Sequence, residues 1–332
     1  MRTILILLAS ICVFVPGARA QTTLRAPSVP LVACDPYFSI WSPADRLNEV
    51  DTTHWTGRPH RLMSSITIDG QAFRLIGNEP AFQPTLKQTR VSVLPTRTIY
   101  EFDSAGIALT LTFMTPSLPE SIDLLSWPVT YVSYQARSTD TKTHQVSVTF
   151  EASAEIAVNE PTQATVWSIP KINGLSAIAV GSESQDVLNR SGDDLRIDWG
   201  HLYVAASNDQ KPSWKAHELH LDMGSVGNAV ASRWLMVAYD DIYSIQYMKA
   251  NLLAYWRRNG WEASDLLQAA AKQYDEFVGK CSAFDEELMA DLRKAGGDDY
   301  ANLGALCYRQ CFAAGKFVAD KNGQPLQFSK EN

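Results

Sequence analysis

The chain contains little cysteine, and this limits how its fold can be stabilised. Five cysteines occur among 332 residues, and one of them, Cys12, lies in the N-terminal apolar segment. The other four, Cys34, Cys281, Cys307 and Cys311, are too sparse for a disulfide scaffold in a chain of this length. A disulfide from Cys34 to a later cysteine is compatible with an oxidising compartment, but spacing alone selects no partner. Cys307 and Cys311 lie four residues apart on a predicted helix, where we expect two buried thiols rather than metal ligands.

Basic residues and long apolar runs are also scarce. Lysine and arginine number 29 against 36 acidic residues, which gives a net charge of −7. This balance disfavours nucleic acid as a partner, because the phosphate backbone attracts basic surfaces. After the N-terminal segment, no run approaches the roughly 20 apolar residues that a membrane span requires. We therefore expect neither a nucleic-acid partner nor a membrane span.

Short motifs of common catalytic sites are missing. There is no G-x-S-x-G elbow and no Walker loop. His217 and His220 are three residues apart in a strand-like stretch, which directs their side chains to opposite faces and disfavours a shared metal. Ser168-Ile-Pro-Lys171 has the spacing of a serine amidase pair, but Ile172-Asn-Gly174 breaks the helix that such a pair needs. The sequence predicts no metal and no cofactor.

The first 20 residues have the pattern of a secretory signal peptide. Arg2 precedes an apolar stretch from Ile4 to Val15, and Ala18-Arg-Ala20 ends the segment with small residues. This order of charge, apolar core and small residues predicts cleavage before Gln21. We expect the mature protein to be secreted or periplasmic.

From about Val29 to Tyr239, apolar residues recur with a period of two. Ile107, Leu109, Leu111 and Phe113 alternate with smaller or polar residues, as the strands of a half-buried antiparallel sheet do. Asp69-Gly70 between two such runs is a strong hairpin signal, because both residues tolerate positive φ. About a dozen strands predict a large two-sheet β-sandwich over residues 21–255.

The remaining region, residues 256–332, has the period of a helix. One apolar face begins at Ala263 and runs to Cys281, and a shorter helical piece ends at Gly296-Gly297. Asp298-Asp299 is then placed to cap the next helix. The predicted apolar face of that next helix comprises Tyr300, Leu303, Leu306, Cys307, Cys311, Ala314 and Phe317. Two or three helices leave such faces short of partners, so neighbours from further sequence or from the sandwich must cover them. We expect the region after Glu262 to be only partly ordered.

Three passages together resemble a known family. They are Ala33-Cys-Asp-Pro-Tyr-Phe-Ser-Ile-Trp41, His54-Trp-Thr-Gly57, and Leu235-Met-Val-Ala-Tyr-Asp-Asp241 followed by Tyr255-Trp-Arg-Arg-Asn-Gly260. They are similar to the secreted glutaminase A family of fungi and its bacterial relatives. The resemblance implies a β-domain followed by a six-hairpin α/α barrel, and hydrolysis of L-glutamine to L-glutamate and ammonia. On this comparison the chain holds the β-sandwich and only the opening helices of an incomplete barrel, so we expect little activity from it alone.

Hydrolysis of an amide or glycosidic bond without a metal commonly uses two carboxyl groups with separated pKa values. Asp240 and Asp241 follow a predicted strand, and Glu331 follows a turn at Lys321-Asn-Gly-Gln324, so these three carboxylates are the catalytic candidates. A structural role in a turn or loop is the alternative for each. The candidate substrate-binding residues are Asp35, Trp41, Trp55 and Arg58, since indoles stack on sugars and arginine pairs with carboxylates. Burial in the sandwich is the alternative for the two tryptophans, and a strand entry followed by core aromatic residues is the alternative for Asp35.

Two other functions fit the same pattern. A glycoside hydrolase of this architecture uses aromatic residues and paired carboxylates equally well. A non-catalytic carbohydrate-binding or scaffold module is the second alternative. The expected partner is therefore a small molecule, either glutamine or a glycan.

Overall fold

The alternating segments form two antiparallel β-sheets, as the sequence predicts. A computed structural model describes residues 25–329, with nineteen β-strands and three α-helices in that part of the chain. The strands are β1 (Val29–Ala33), β2 (Ser39–Ser42), β3 (Leu62–Ile68), β4 (Gln71–Ile76), β5 (Gln88–Val93), β6 (Arg97–Ser104), β7 (Ile107–Met114), β8 (Val129–Ser138), β9 (His144–Ala152), β10 (Thr165–Ser168), β11 (Leu175–Ser182), β12 (His201–Ser207), β13 (Ser213–Lys215), β14 (Glu218–Val226), β15 (Ala231–Asp240), β16 (Tyr243–Tyr247), β17 (Ala250–Leu253), β18 (Gly315–Ala319) and β19 (Pro325–Ser329). The helices are α1 (Ile122–Leu125), α2 (Ala263–Lys272) and α3 (Tyr274–Ala313).

The sandwich consists of an eight-stranded and a five-stranded sheet. The larger sheet has the order β10-β11-β12-β15-β8-β7-β6-β5, and the smaller has the order β13-β14-β9-β3-β4. Separate hairpins are formed by β1-β2, β16-β17 and β18-β19. The protein is thus mainly β with helices near its C-terminal end, which confirms the predicted fold class at this level.

Local sequence explains the register of the sheets. Along β7 the residues predicted to face inward, from Ile107 to Phe113, are buried, and the alternate residues are less so. β3 and β4 are joined through Asp69 and Gly70, which have φ angles of 50° and 84°. Positive φ at both turn positions matches the twist of paired strands, so this dipeptide fixes the hairpin where the sequence predicts it.

The outer face of the larger sheet is covered by helices. The last six residues of β15 are all buried, which requires cover on both faces of the strand. Leu266 and Leu267 of α2 and Phe277 of α3 pack there in one cluster with Met236 of β15. Each large side chain buried in this way contributes roughly 1.5–3 kcal/mol. Of the two sources of cover that the sequence leaves open for these helices, the sandwich is the one that covers α2 and the start of α3.

α3 is a helical hairpin rather than one straight helix. Gly297 leaves the helical conformation with φ 79° and ψ −173°, and it separates a first arm, residues 274–296, from a second arm, residues 298–313. The rings of Phe284 and Tyr308 are 5.6 Å apart across the hairpin. A Cβ on Gly304 would lie 2.8 Å from Leu292 Cδ1, so the absence of a side chain permits this close approach. The predicted break at Gly296-Gly297 is confirmed.

The predicted apolar face of the second arm was right at Leu306 and wrong at Tyr300 and Leu303. Leu306 is buried beside Trp41, whereas Tyr300 and Leu303 are 50% and 46% exposed. Ala301, Ala305 and Arg309 are buried instead. The first half of the arm thus turns small side chains toward the close hairpin partner, which leaves no room there for large ones.

The chain beyond α3 forms a β-hairpin that the helical pattern did not predict. β18 pairs with β19 from Gly315 opposite Ser329 to Ala319 opposite Pro325. Phe317, assigned to a helix face by its spacing, lies in β18. The turn that the sequence places at 321–324 contains Gly323 with a φ of 76°, so that part of the prediction is confirmed.

Candidate active site

A buried lysine joins three elements at one end of the sandwich. Lys316 Nζ in β18 lies 2.6 Å from Asp35 Oδ2 and 2.8 Å from Asp241 Oδ2. Asp35 follows β1, and its Oδ1 accepts hydrogen bonds from the backbone N–H groups of Tyr37 and Phe38, both at 2.9 Å. Asp241 directly follows β15. We call Asp35, Asp241 and Lys316 the lysine cluster.

The lysine cluster is shielded from water and carries excess negative charge. The side chains of Asp35, Asp241 and Lys316 are 5%, 2% and 6% exposed. Burial acts to lower the pKa of Lys316, but the charges of Asp241 and Asp35 outweigh it and raise that pKa, so the ammonium stays charged. Asp241 contacts Lys316 as an ion pair without hydrogen-bond alignment, since neither of its carboxylate oxygens has a hydrogen-bond partner within residues 25–329.

Asp240, the neighbour of Asp241, belongs to a second ion-pair group. Its Oδ2 lies 2.5 Å from Arg257 Nη1, and its Oδ1 accepts the backbone N–H of Ile242 at 3.0 Å. Burial raises the pKa of Asp240, and the charge of Arg257 only partly offsets this effect. Arg257 Nη2 also lies 2.5 Å from Glu262 Oε2, at the N-terminus of α2. The pair therefore links the end of β15 to the helical region.

A cavity of about 720 Å³ lies between the β1-β2 hairpin and the second arm of α3. Trp41 and Trp55 both line it. Trp41 Nε1 donates to Ser39 Oγ at 2.6 Å, and Trp55 Nε1 donates to the carbonyl oxygen of Pro36 at 2.8 Å. With their N–H groups engaged inside the protein, the two indoles offer ring surface to the cavity.

The cavity and the lysine cluster share one turn of the chain. Pro36, whose carbonyl oxygen accepts the Trp55 N–H, directly follows Asp35. The same oxygen lies 2.8 Å from His54 Nε2. The turn after β1 therefore places a charged cluster and an indole-lined cavity next to each other.

A second buried cation lies where β1 meets α3. Arg309 of the second arm is 1% exposed, and its Nη2 donates to Leu31 O at 3.4 Å. Burial lowers the pKa of Arg309 to about 10, while the charge of Asp285 opposes the change. The Asp285 carboxylate accepts hydrogen bonds from Thr96 N at 2.8 Å and Arg97 Nε at 2.7 Å. This group fastens the helical hairpin to the sandwich.

The structure brings together most of the candidate catalytic and substrate-binding residues that the sequence predicts. Asp35 and Asp241 meet at Lys316, and Asp240 lies beside them in the chain. Trp41 and Trp55 share the wall of one cavity. All five therefore surround the turn after β1, although they come from separate segments of the sequence.

The two remaining candidates, Arg58 and Glu331, are not among the residues that the structure brings together. The Arg58 side chain is 53% exposed and lies 3.6 Å from Asp194 Oδ2 rather than in the cavity wall. Glu331 lies outside the described residues.

Sequence reasoning missed two buried cations: Lys316, which pairs with Asp35 and Asp241, and Arg309, whose Nη2 donates to Leu31 O. Lys316 precedes the apolar run Phe317-Val-Ala319, and Arg309 lies among the small residues of a helix. A lone basic residue within an apolar stretch is the signal that indicates such partners, because buried charges are usually paired. The carboxylates were found by their position at strand ends, which says nothing about their partners.

Cysteines and histidines form no metal cluster in residues 25–329, where no group of three or more metal-binding side chains occurs. All four cysteines of this part of the chain are free thiols. Cys307 and Cys311 are exposed, so the prediction that both are buried was wrong. No helix between residues 25 and 329 is long and apolar enough to cross a membrane.

Comparison with known families matches most of the chain to two family models. The model described as domain of unknown function DUF5127 matches residues 96–220 and 209–291, which together exceed half of the chain. The model described as domain of unknown function DUF4964 matches residues 11–85.

The chain is also similar to a curated relative and to solved structures, among them the two that follow. Glutaminase A of Aspergillus oryzae is 21% identical over 97% of this chain, which spans about half, 53%, of the relative's length. A protein described as a kojibiose phosphorylase from the human microbiome is 11% identical and covers 82% of this chain and 34% of its own, with a TM-score of 0.44. The Slr1438 protein from Synechocystis sp. PCC 6803 is 9% identical and covers 67% of this chain and 98% of its own, with a TM-score of 0.30.

Proposed function

The chain belongs to the family of the domain of unknown function DUF5127, and from its similarity to glutaminase A we propose that it is part of a secreted hydrolase converting L-glutamine to L-glutamate and ammonia. The observation that carries the proposal is the extent of that similarity, which covers 97% of the chain rather than a single motif. The proposal concerns the product of the complete gene, because the chain spans about half of the relative's length.

The chemistry requires a base for the attacking water and an acid for the leaving ammonia. We assign the acid to Asp240, because burial raises its pKa, which is the direction that a general acid needs. We assign the base to Glu331 and keep Asp241 as the third candidate carboxylate. Lys316 and Arg257 then hold Asp241 and Asp240 in place. Asp35, through its bond to Lys316, fixes the turn that borders the substrate.

Export is a further part of the proposal. The signal-peptide pattern of residues 1–20 lies outside the described residues, so it rests on the sequence alone. N-terminal sequencing of protein recovered from the periplasm or medium should begin at Gln21, and a start at Met1 would contradict export through this signal.

A substitution at Asp240 tests the assigned chemistry. In protein expressed from the complete gene, Asp240→Asn should lower kcat for ammonia release about 10²–10⁴-fold, the usual contribution of a general acid or base. Asp193→Asn changes an exposed loop carboxylate and should leave kcat unchanged. Steady-state assays of both variants with L-glutamine measure this. An unchanged kcat in Asp240→Asn would show that Asp240 is not the general acid. The proposed hydrolysis of L-glutamine would not be contradicted by that result.

A further inference from the structure

The cavity lined by Trp41 and Trp55 has no charged side chain in its wall. Fourteen residues line it, and none is aspartate, glutamate, lysine or arginine. His54 is the single titratable ring among them. Its Nε2 faces the carbonyl oxygen of Pro36, and its Nδ1 accepts the backbone N–H of Thr56 at 3.4 Å, an arrangement that fits the neutral tautomer. The cavity wall is therefore electrically neutral.

A neutral wall selects against charged ligands. Free glutamine carries an ammonium and a carboxylate, and moving such charges out of water without partners is costly. The charged groups of this end of the sandwich belong instead to the lysine cluster, on the other side of the turn at Pro36. The cavity and the proposed hydrolytic site thus differ in the ligand chemistry that they favour.

The composition of the wall fits a ligand with both hydroxyl groups and apolar faces. The indoles of Trp41 and Trp55 both line the cavity, with their N–H groups bonded to Ser39 and Pro36. Trp41 is 7% exposed and Trp55 is half-buried, so Trp55 offers the larger ring surface. Gln310 adds a carboxamide with donors and an acceptor, and Thr53 adds a hydroxyl. The rest of the apolar wall is formed by Leu306, Pro27, Pro43, Ala313 and Ala314, which contact the C–H groups of a ligand without requiring a fully apolar one.

We propose that this cavity binds a neutral oligosaccharide. Its volume of about 720 Å³ lies within the range of roughly 300–1,000 Å³ that is typical of ligand sites. Sugar rings place their C–H faces on the indoles, and their hydroxyl groups bond to Gln310 and Thr53. This inference does not depend on the proposed hydrolysis of glutamine.

The test is a glycan array that carries neutral, sialylated and sulfated oligosaccharides, probed with the labelled purified protein. We expect binding to neutral glycans and none to charged ones. A bound neutral glycan is then titrated by calorimetry against Trp55→Ala and Gln310→Ala, and each should weaken binding roughly tenfold or more. Trp167→Ala is the matched control, because that ring stacks on His217 at 3.7 Å in β10, outside the cavity.

The outcomes distinguish a glycan-binding site from a cavity that binds no glycan. Circular dichroism and thermal unfolding establish that each variant is folded, and Gln310 is exposed, so Gln310→Ala removes a rim group with little structural cost. Absence of neutral-glycan binding, a preference for charged glycans or for apolar peptides, or equal affinity in Trp55→Ala and wild type would each overturn the proposal.

Discussion

Buried charges at single residues connect the segments of this molecule. Lys316 and Arg257 come from different elements, and each pairs with a carboxylate of the sandwich. Such pairs add little to stability when compared with apolar residues, but removing one partner leaves an uncompensated charge in the interior. Removing one partner of such a pair therefore destabilises the folded protein by more than the intact pair stabilises it.

Lys316→Met should destabilise the protein by about 3–5 kcal/mol, because Asp35 and Asp241 then remain buried without a cation. Lys321→Met is the control, since Lys321 is exposed in the turn between β18 and β19. Urea unfolding of the two variants measures the difference. A decrease of less than about 1 kcal/mol in the free energy of unfolding of Lys316→Met would show that the two carboxylates become hydrated or protonated without an energetic penalty.

His144 makes stability depend on pH. Its Nε2 lies 3.0 Å from Asp140 Oδ1, and its Nδ1 lies 2.7 Å from Asp69 Oδ2. The hydrogen bonds to Asp140 and then Asp69 raise the pKa of His144, and the bond to His144 lowers the pKa of both carboxyl groups. Because the folded pKa of His144 exceeds the unfolded value of about 6.5, its contribution is present below that pH and is lost as pH rises through the folded pKa.

The melting temperature of His144→Gln should therefore fall furthest below wild type at about pH 5–6, and the gap should narrow at higher pH. Thermal unfolding between pH 5 and 9 measures it. Replacing both Asp69 and Asp140 by Asn should abolish this pH dependence. A gap that widens with rising pH would show that His144 is neutral in the folded protein.

At the scale of elements, the sequence predicted strands and turns better than the helical hairpin's packing. Period-two alternation located β7, and Asp69-Gly70 located the β3-β4 turn, because both signals depend on adjacent residues. The inner face of the second arm depends on the distance to its partner, which no local pattern contains. For the same reason β18 was missed, since its short apolar run fits a helix face equally well.

Gly297 is the residue on which the helical hairpin depends. Its φ of 79° and ψ of −173° fall in a region that is essentially restricted to glycine. Gly297→Ala should cost about 1–3 kcal/mol, whereas Gly279→Ala, in the first arm with open space around it, should stabilise by about 0.5–1 kcal/mol. Denaturant titration compares the pair. Equal stabilisation by both would mean that α3 continues as a straight helix through residue 297.

At the scale of the whole molecule, the candidate site lies where the sandwich, the joint and the helices meet. The sequence nominated Asp35, Asp240 and Asp241 as residues at strand ends, and the fold brings them close. Which cation binds each carboxylate depends on contacts between residues up to 281 positions apart, which one sequence does not reveal. α2 and the start of α3 pack on the outer face of the larger sheet, a pairing of helix and sheet that no local pattern specifies.

Ammonia release from L-glutamine by the protein expressed from its complete gene tests the proposed function most directly. We predict that ammonia and L-glutamate form in equal amounts, and that no reducing sugar appears from neutral glycans incubated under the same conditions. Release of sugar without ammonia would identify a glycoside hydrolase and contradict the assignment. Absence of both products would leave a binding module and contradict it equally.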